Sequence, residues 1–143
     1  MVLVAKDIVE KEFLSLSRET TALDAARQMK AKRHGYAIIA SSTGSPEGIV
    51  TEWDYLSKIV AEGRDPSGVK LGDIMTTDLV SVDANVGLDQ VAELMAHKGI
   101  RRVLVLKDHT IVGVVTAGVM LSRLKEYVDK VSSTIARLQS PMI

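Results

Sequence analysis

The sequence predicts an α/β (α+β) fold in which two β-α-β-β-α units pack as a pseudo-two-fold pair, followed by an extended C-terminal helix. Three observations predict it. The two halves of the 143-residue chain repeat one another in a fixed register. Within each half, apolar residues alternate over the candidate strands and recur every three or four positions over the candidate helices. A further apolar pattern of helical period continues beyond the second unit.

The repeat is carried by matching residues at a nearly constant offset. KDIVEKEFLSLS at 6–17 aligns with GDIMTTDLVSVD at 72–83, so that Asp7 and Asp73 are 66 positions apart (73 − 7). After the loop SSTGSPEG the offset becomes 65, and Thr51 aligns with Thr116 (116 − 51). Loops tolerate such a change in length best. Each half, at about 60 residues, would bury too little apolar surface alone, so the halves should pack together.

The predicted elements follow the same order in both halves. The first half contains a strand in FLSLS, a helix in TALDAARQMKAK, strands in YAIIA and GIVT, and a helix from about residue 52 to 61. The second half contains LVSV, LDQVAELMAHK, RRVLVL and IVGVVT, with a helix from about residue 117 onward. We assign residues 1–62 to repeat 1, 63–71 to a linker rich in Gly, Pro and charge, 72–124 to repeat 2 and 125–143 to a helical extension.

Composition limits the classes of function. Acidic and basic residues balance at 18 each and aromatic residues make up 3% of the chain, which disfavours nucleic acid and anionic membranes as partners. The absence of cysteine excludes disulfides, thiolate catalysis and cysteine zinc sites. No apolar run approaches the roughly 20 residues of a membrane span. We therefore expect a cytoplasmic protein.

The tandem unit resembles the CBS domain pair, also called the Bateman module. DIM with LVSV, GIRRVLVL with GVVT, and GIVTEWD carry the resemblance, although the proline often found before the second strand is absent from both GYAIIA and RRVLVL. The resemblance implies a regulatory, non-catalytic module that binds an adenosine ligand between its repeats: AMP above all, or ADP, ATP or S-adenosylmethionine. Because the chain leaves no room for an effector domain, it implies a stand-alone sensor or a subunit acting on an unknown effector protein.

The motif GIVTEWD contains a candidate nucleotide site. Thr51 lies where a strand becomes a helix, so its hydroxyl and the free N–H groups could bind phosphate. Asp54, three residues later, could accept hydrogen bonds from two ribose hydroxyls. The alternative is a capping box in which nothing binds. Thr21 and Asp24 have the same T-x-x-D spacing and are predicted to cap a helix, so the spacing alone is unspecific.

The resemblance also implies which residues of the other repeat complete each cleft. In the first cleft the base would contact Met75, Thr76, Leu79 and Val80. The phosphates would contact Arg101 and Arg102. Neighbouring strand residues point to opposite faces, so only one arginine is expected to enter easily. The second cleft has Val119 in place of the aspartate and would be formed by Thr116, Val9, Phe13, Leu14 and Tyr36. Since Gly35 and Tyr36 replace its arginines, this cleft is expected to be weak or empty.

Other chemistries have little support in the sequence. His34, His97 and His109 lack partners at metal-ligand spacing, and no nucleophile elbow, P-loop or dinucleotide fingerprint occurs. We therefore expect no metal, cofactor or enzymatic activity. Trp53 is expected to pack in the core or at a subunit interface rather than stack on a base. The basic cluster at 30–34 fits the C-terminal end of a helix, where the macrodipole favours cations.

The C-terminal helix has an apolar stripe. Its members are spaced alternately by three and four residues, namely Leu121, Leu124, Val128, Val131, Ile135 and Leu138. The stripe favours a homodimer, in which the globular part shares the interface, over a helix lying on its own module. Pro141 is expected to end the helix. These features leave open an alternative function, a ligand-free dimerisation or assembly module.

Overall fold

The fold contains one structural unit twice. The computed structural model describes residues 3–139. The first unit comprises a 3-10 turn Ala5–Asp7, β1 Ser15–Leu16, α1 Ala22–Lys32, β2 Tyr36–Ala40, β3 Pro46–Thr51 and α2 Glu52–Tyr55, which continues as a π-helical turn over Leu56–Val60. A 3-10 turn Pro66–Gly68 leads to α3 Leu71–Ile74, β4 Ser81–Asp83, α4 Leu88–Lys98, β5 Arg102–Lys107, β6 Thr110–Thr116 and α5 Ala117–Leu138. The predicted order is confirmed, and α3 and the 3-10 turns are additions.

Both sheets have the same topology and register. β1 pairs in parallel with β2, and β2 pairs antiparallel with β3, as β4, β5 and β6 do in the second sheet. Ser15 lies opposite Ile38 and Ser81 lies opposite Leu104, each pair shifted by 66 residues (81 − 15 and 104 − 38). The antiparallel ladders also slip at equivalent points, after Ile39 and after Val105. The repeat in the sequence is therefore a repeat of backbone geometry.

Local side-chain chemistry positions the helix ends. The Asp24 N–H donates to Thr21 Oγ1 at 3.2 Å, which confirms the predicted cap of α1. The Val119 N–H donates in the same way to Thr116 Oγ1 at 3.1 Å where α5 begins. α5 ends at Leu138, and Pro141 lies outside the described residues.

The two repeats exchange the segments that precede their first strands. Ala5 and Ile8 are buried in the core of the second repeat, together with Val91, Val103 and Val115. Val69, Leu71 and Ile74 are buried in the core of the first repeat, beside α1, β2 and β3. A third apolar cluster joins the sheets through Tyr36, Ile38, Leu104 and Val114. Each core is thus completed by the segment that precedes the first strand of the other repeat.

Two glycines allow the exchanged segments to approach the sheets. Thr76 forms an antiparallel bridge with Ile49, and Glu10 forms the equivalent bridge with Val114. A Cβ atom on Gly48 would lie 2.9 Å from the Thr76 carbonyl oxygen, and one on Gly113 would lie 2.5 Å from the Glu10 carbonyl oxygen. Both contacts are with backbone, which cannot easily move aside. The first glycine of the repeated G-hydrophobic-hydrophobic-T frame is therefore a requirement of backbone packing.

We predict that Ile74→Ala destabilises the whole chain, because Ile74 belongs to repeat 2 in sequence but packs in the core of repeat 1. Ile74 is 1% exposed, and truncating such a side chain costs about 2–5 kcal/mol. Urea denaturation should show this loss in a single transition. Val60→Ala is the matched control, because Val60 is 68% exposed and its truncation should change stability by less than about 0.5 kcal/mol. Two separate transitions, only one of them shifted, would contradict the shared core.

Candidate functional site

A cavity of about 360 Å³ opens between the two repeats beside α2. This volume is within the usual range for sites that bind small molecules, about 300–1,000 Å³. The first repeat contributes residues around the end of β3, and the second contributes the segment before β4 and the entry to β5. The wall is formed by Ile49, Thr51, Glu52, Trp53, Thr76, Asp78, Leu79, Val80, Gly99, Ile100, Arg101, Arg102, Val103, Leu104 and Val114.

Most of the residues predicted for the first cleft lie in this wall. They are Thr51, Thr76, Leu79, Val80, Arg101 and Arg102. Met75 and Asp54 are not in the wall. Met75 packs beside the core of the first repeat, close to the α-carbon of Gly48. Asp54 is 3% exposed and lies behind Thr51 and Thr76, with which it forms hydrogen bonds.

The Asp54 carboxylate is fully engaged within the protein. Its Oδ1 forms an ion pair with the Lys58 ammonium at 2.8 Å and accepts a hydrogen bond from the Thr76 hydroxyl at 3.3 Å. Its Oδ2 accepts hydrogen bonds from the Thr51 N–H at 2.9 Å and from the Thr51 hydroxyl at 3.4 Å. The contact with the Thr51 N–H is the one that the capping-box alternative describes. The hydrogen bond from Thr76 is not part of a capping box, because it connects the start of α2 to the segment exchanged from the other repeat.

Lys58 is a member of the site that the sequence analysis missed. It lies in the π-helical turn, and its ammonium group donates to the Ile74 carbonyl at 2.7 Å as well as to Asp54. Lys58 therefore bridges the carboxylate and the C-terminal end of α3. The i, i+4 spacing of Asp54 and Lys58 was the available signal, and such pairs commonly occur on the surface of helices without any functional role.

Both arginines line the cavity, contrary to the expectation that only one would enter easily. Arg101 precedes the first residue of β5, so the alternation of strand side chains does not apply to it. The Arg102 guanidinium forms an ion pair with Glu52 at 3.1 Å and lies 5.0 Å from the centre of the Tyr36 ring. Arg101 forms no ion pair with any residue of the range 3–139. Within the described chain, Arg102 is therefore paired with a carboxylate, whereas Arg101 is not.

The first turn of α2 adds two wall residues that were assigned no binding role. Trp53 is 69% exposed, so it does not pack in the core, and of the two expected positions only a subunit interface stays a prediction. It points outward because the opposite side of the turn holds Asp54 against the exchanged segment. Glu52 reaches into the cleft toward Arg102. Nothing in the local sequence indicates that pair, because its members are 50 positions apart (102 − 52).

The residues predicted for the second cleft have mainly structural contacts. Thr116 caps α5, Leu14 is buried with Met29 and Ala37, Val9 packs beside the core of the second repeat, and Phe13 joins the cluster between the sheets. The Tyr36 hydroxyl donates to Glu10 at 3.1 Å. Glu10 is equivalent to Thr76 (76 − 10 = 66), so this side has an acid where the first cleft has a hydroxyl.

Two further properties concern the described part of the chain. No group of three His, Asp or Glu side chains within residues 3–139 is arranged to hold a metal ion. None of the helices in this range combines the length and apolar character needed to cross a membrane.

The duplicated fold and the cleft between its halves are those of a CBS domain pair. The CBS domain family model matches residues 5–61 and 71–126, and the chain therefore belongs to the CBS-domain family. Proteins with this domain are generally regulatory. The match ends inside α5, so the distal part of that helix lies beyond both CBS domains.

Individual relatives show the range of proteins that contain this pair. The chain is similar to the CBS domain pair of protein MJ0100 in complex with 5′-methylthioadenosine and S-adenosyl-L-methionine, with a TM-score of 0.77, 26% identity, and coverage of 88% of this chain and 98% of that one. It is also similar to a hexameric CBS-CP12 protein from bloom-forming cyanobacteria, with a TM-score of 0.77, 33% identity, and coverage of 85% and 71%. The mitochondrial protein CBSX3 of Arabidopsis thaliana is 33% identical over 74% of this chain, which spans only 53% of that relative.

We predict that Lys58→Met lowers the free energy of unfolding by about 1–3 kcal/mol, because it leaves the buried Asp54 carboxylate without its cation. Since the Lys58 side chain is 41% exposed, water would reduce the loss below that of a fully buried pair. Lys125→Met, on an exposed helix face, is the control and should change stability by less than about 0.5 kcal/mol. Equal effects of the two substitutions in urea denaturation would argue against the bridge.

Tyr36 should make the fold sensitive to alkaline pH. Burial, reinforced by the neighbouring Glu10 carboxylate, raises the pKa of the Tyr36 phenol well above its usual value of 10.0. The unfolded chain therefore loses this proton first, so the contribution of Tyr36 to stability is complete below about pH 10 and decreases at higher pH. Tyr36→Phe should reduce the loss of unfolding free energy measured between about pH 9 and 11. An unchanged slope would contradict this assignment.

Proposed function

We propose that this chain is a non-catalytic regulatory module that binds an adenosine nucleotide, AMP or one of the longer forms ADP and ATP, in the cleft containing Thr51 and Asp54. The observation that carries the proposal is the cavity itself. Residues from both repeats, separated by up to 65 positions (114 − 49), form the walls of one cavity of suitable size. The relative in complex with 5′-methylthioadenosine and S-adenosyl-L-methionine supports an adenosine ligand.

The chemistry of the walls suggests how such a ligand would be oriented. Ile49, Leu79 and Val80 provide an apolar surface for the base. Arg101, which has no carboxylate partner in the described chain, would bind phosphate. Asp54 would accept a ribose hydroxyl in place of the Thr76 hydroxyl, which now occupies its Oδ1 on the cavity side. Thr76 would then be free to bond the ligand.

The same contacts provide a route from ligand binding to a change in shape. A ligand between Thr51 and Thr76 would contact both repeats, and it would compete for bonds that now join α2 to the exchanged segment. Lys58 holds the same segment through the Ile74 carbonyl. We expect occupancy to alter how closely the repeats pack, which an effector protein could detect.

Asp54→Asn should weaken AMP binding by about ten- to a hundredfold, because a neutral amide replaces the charged acceptor of the ribose hydroxyls. Isothermal calorimetry provides the affinity. Fluorescence of Trp53, the single tryptophan, provides an independent signal from the cavity wall. Lys58→Met is the matched control: it breaks the same ion pair but leaves the carboxylate, so its effect on affinity should be several-fold smaller.

An AMP analogue lacking the 2′- and 3′-hydroxyls distinguishes a direct contact between Asp54 and the ribose from a general loss of structure in Asp54→Asn. This analogue should bind the wild type about as weakly as AMP binds Asp54→Asn, and it should bind both proteins equally. If the analogue loses further affinity in Asp54→Asn, the carboxylate acts through the fold instead. If AMP, ADP, ATP and S-adenosylmethionine all fail to bind the wild type below about millimolar, the adenosine function is wrong.

A second candidate function, self-assembly, is favoured by α5. The helix runs for 22 residues, and none of its side chains is buried in the described structure. Its apolar stripe is open to solvent along its whole length, with Leu121 66%, Val128 50% and Leu138 80% exposed. A groove of about 940 Å³ lies between this helix, the start of α4 and Leu3. Exposed apolar surface of this extent usually marks a binding site.

We propose a homodimer as the occupant of this surface, with an effector protein as the competing possibility. The uniform spacing of three and four allows two copies of the stripe to pack against each other. Its flanking positions are largely uncharged, namely Met120, Tyr127, Ser132, Thr134 and Gln139, so pairing brings few like charges together. The hexameric relative supports self-association.

Leu124→Glu should convert the dimer to a monomer at about 10 µM protein, because it places a charge in the centre of an apolar contact. Light scattering after size-exclusion chromatography measures the mass. Ser122→Glu introduces the same charge outside the stripe and should leave the dimer intact. A wild-type protein that is monomeric at about 100 µM would exclude the homodimer.

A further inference from the structure

Opposite charges balance in the wall of the cleft. Arg101 and Arg102 contribute two positive charges, and Glu52 and Asp78 contribute two negative charges, with no other acidic or basic side chain in the wall. A site that binds nucleoside triphosphates commonly has an excess of cations or a metal ion facing the phosphate chain. This cleft therefore has no net charge with which to attract a polyanion.

We propose that Glu52 determines ligand selectivity: it occupies the Arg102 guanidinium in the empty cleft and disfavours ligands with several phosphates. This inference rests on the adenosine site proposed above. It adds a preference for adenosine ligands with little negative charge, such as the monophosphate, over the triphosphate. Glu52 thus acts as an internal counter-ion that a ligand phosphate must displace or repel.

The geometry around Arg102 shows what would be displaced. The guanidinium is held on one side by Glu52 Oε1 at 3.1 Å and on another by the Tyr36 ring, 5.0 Å away. The Arg102 side chain is 21% exposed, whereas the Glu52 side chain is 67% exposed. Glu52 can move into water at little cost, because exposed ion pairs are weak. Arg102 would remain in place over the ring after Glu52 leaves.

Gly35 provides the space that Glu52 occupies. A Cβ atom at this position would collide with Glu52 Oε1 and would lie 3.0 Å from Arg102 Nη2. The contact is with the end of a flexible side chain, so a larger residue would move Glu52 and leave the backbone in place. Gly35 is equivalent to Arg101 of the second repeat (101 − 35 = 66). The two equivalent positions therefore differ: one holds the cation Arg101, and the other leaves space for Glu52.

Ligand charge should consequently control affinity in a graded way. A single phosphate can bind Arg101 and leave the pair between Glu52 and Arg102 in place. Additional phosphates must approach Arg102, where Glu52 already lies, and must also face Asp78. Each added negative charge therefore approaches the two carboxylates of the wall, which repel it.

The test compares adenosine, AMP and ATP by calorimetry in the wild type and in Glu52→Gln. We expect the variant to bind AMP about threefold more tightly, ATP about tenfold more tightly, and adenosine within about twofold of the wild type. Glu47→Gln is the matched control, since Glu47 forms an ion pair with Arg18 at 3.4 Å outside the cavity wall. It removes the same charge and should leave the ratio of ATP to AMP affinity unchanged. Gly35→Ala should move this ratio in the same direction as Glu52→Gln without changing any charge.

Two patterns would overturn the inference. The first is an unchanged ratio of ATP to AMP affinity in Glu52→Gln, and the second is an equal change for ATP and adenosine, which would indicate altered packing. In both cases the ligands still bind, so the adenosine site itself would stand. If none of the three ligands binds either protein below about millimolar, the proposed adenosine site fails, and the role of Glu52 fails with it.

Discussion

The structure depends on antiparallel backbone bridges between the repeats, and two of these bridges lie on the edge strands β3 and β6. Ile49 and Thr76 exchange N–H···O hydrogen bonds of 2.9 and 2.8 Å, and Glu10 and Val114 exchange bonds of 2.8 and 3.1 Å. They are possible because Gly48 and Gly113 leave room for a second backbone. The bridges fix each exchanged segment at the edge of the opposite sheet. The cleft is the space that this arrangement leaves between the end of β3 and the segment before β4.

The same frame gives different chemistry on its two sides. Two positions after α3 the chain has Thr76, whose hydroxyl donates to Asp54, whereas the equivalent Glu10 accepts a hydrogen bond from Tyr36. At the entry to the central strand, Arg102 corresponds to Tyr36, and these two equivalent residues pack against each other. One side of the molecule is thus equipped with cations and a buried carboxylate. The other side has an aromatic ring and an acid at the equivalent positions.

Features that depend on neighbouring or repeated residues could be predicted from the sequence, whereas contacts between residues far apart in the chain could not. Periodicity and the internal repeat predicted every strand and the four longer helical segments, because these patterns are local or are duplicated. Resemblance to a family suggested Thr51, Thr76, Arg101 and Arg102 together. The pair between Glu52 and Arg102 and the exposure of Trp53 could not be predicted, because they depend on side-chain packing between residues far apart in the chain. Lys58 was overlooked for a different reason: its pairing with Asp54 looked like ordinary helical spacing.

The exchange of segments also determines when the protein can become stable during its synthesis. Ala5 cannot be buried until partners such as Val103 have been synthesised, 98 residues later (103 − 5). Repeat 1 likewise lacks part of its core until Ile74 has left the ribosome. Contacts of such long separation slow folding. A nascent chain halted after the first repeat would expose the apolar surface that Leu71 and Ile74 normally cover, and it would lack the partner for its own N-terminal segment. Such an intermediate is a natural substrate for chaperones.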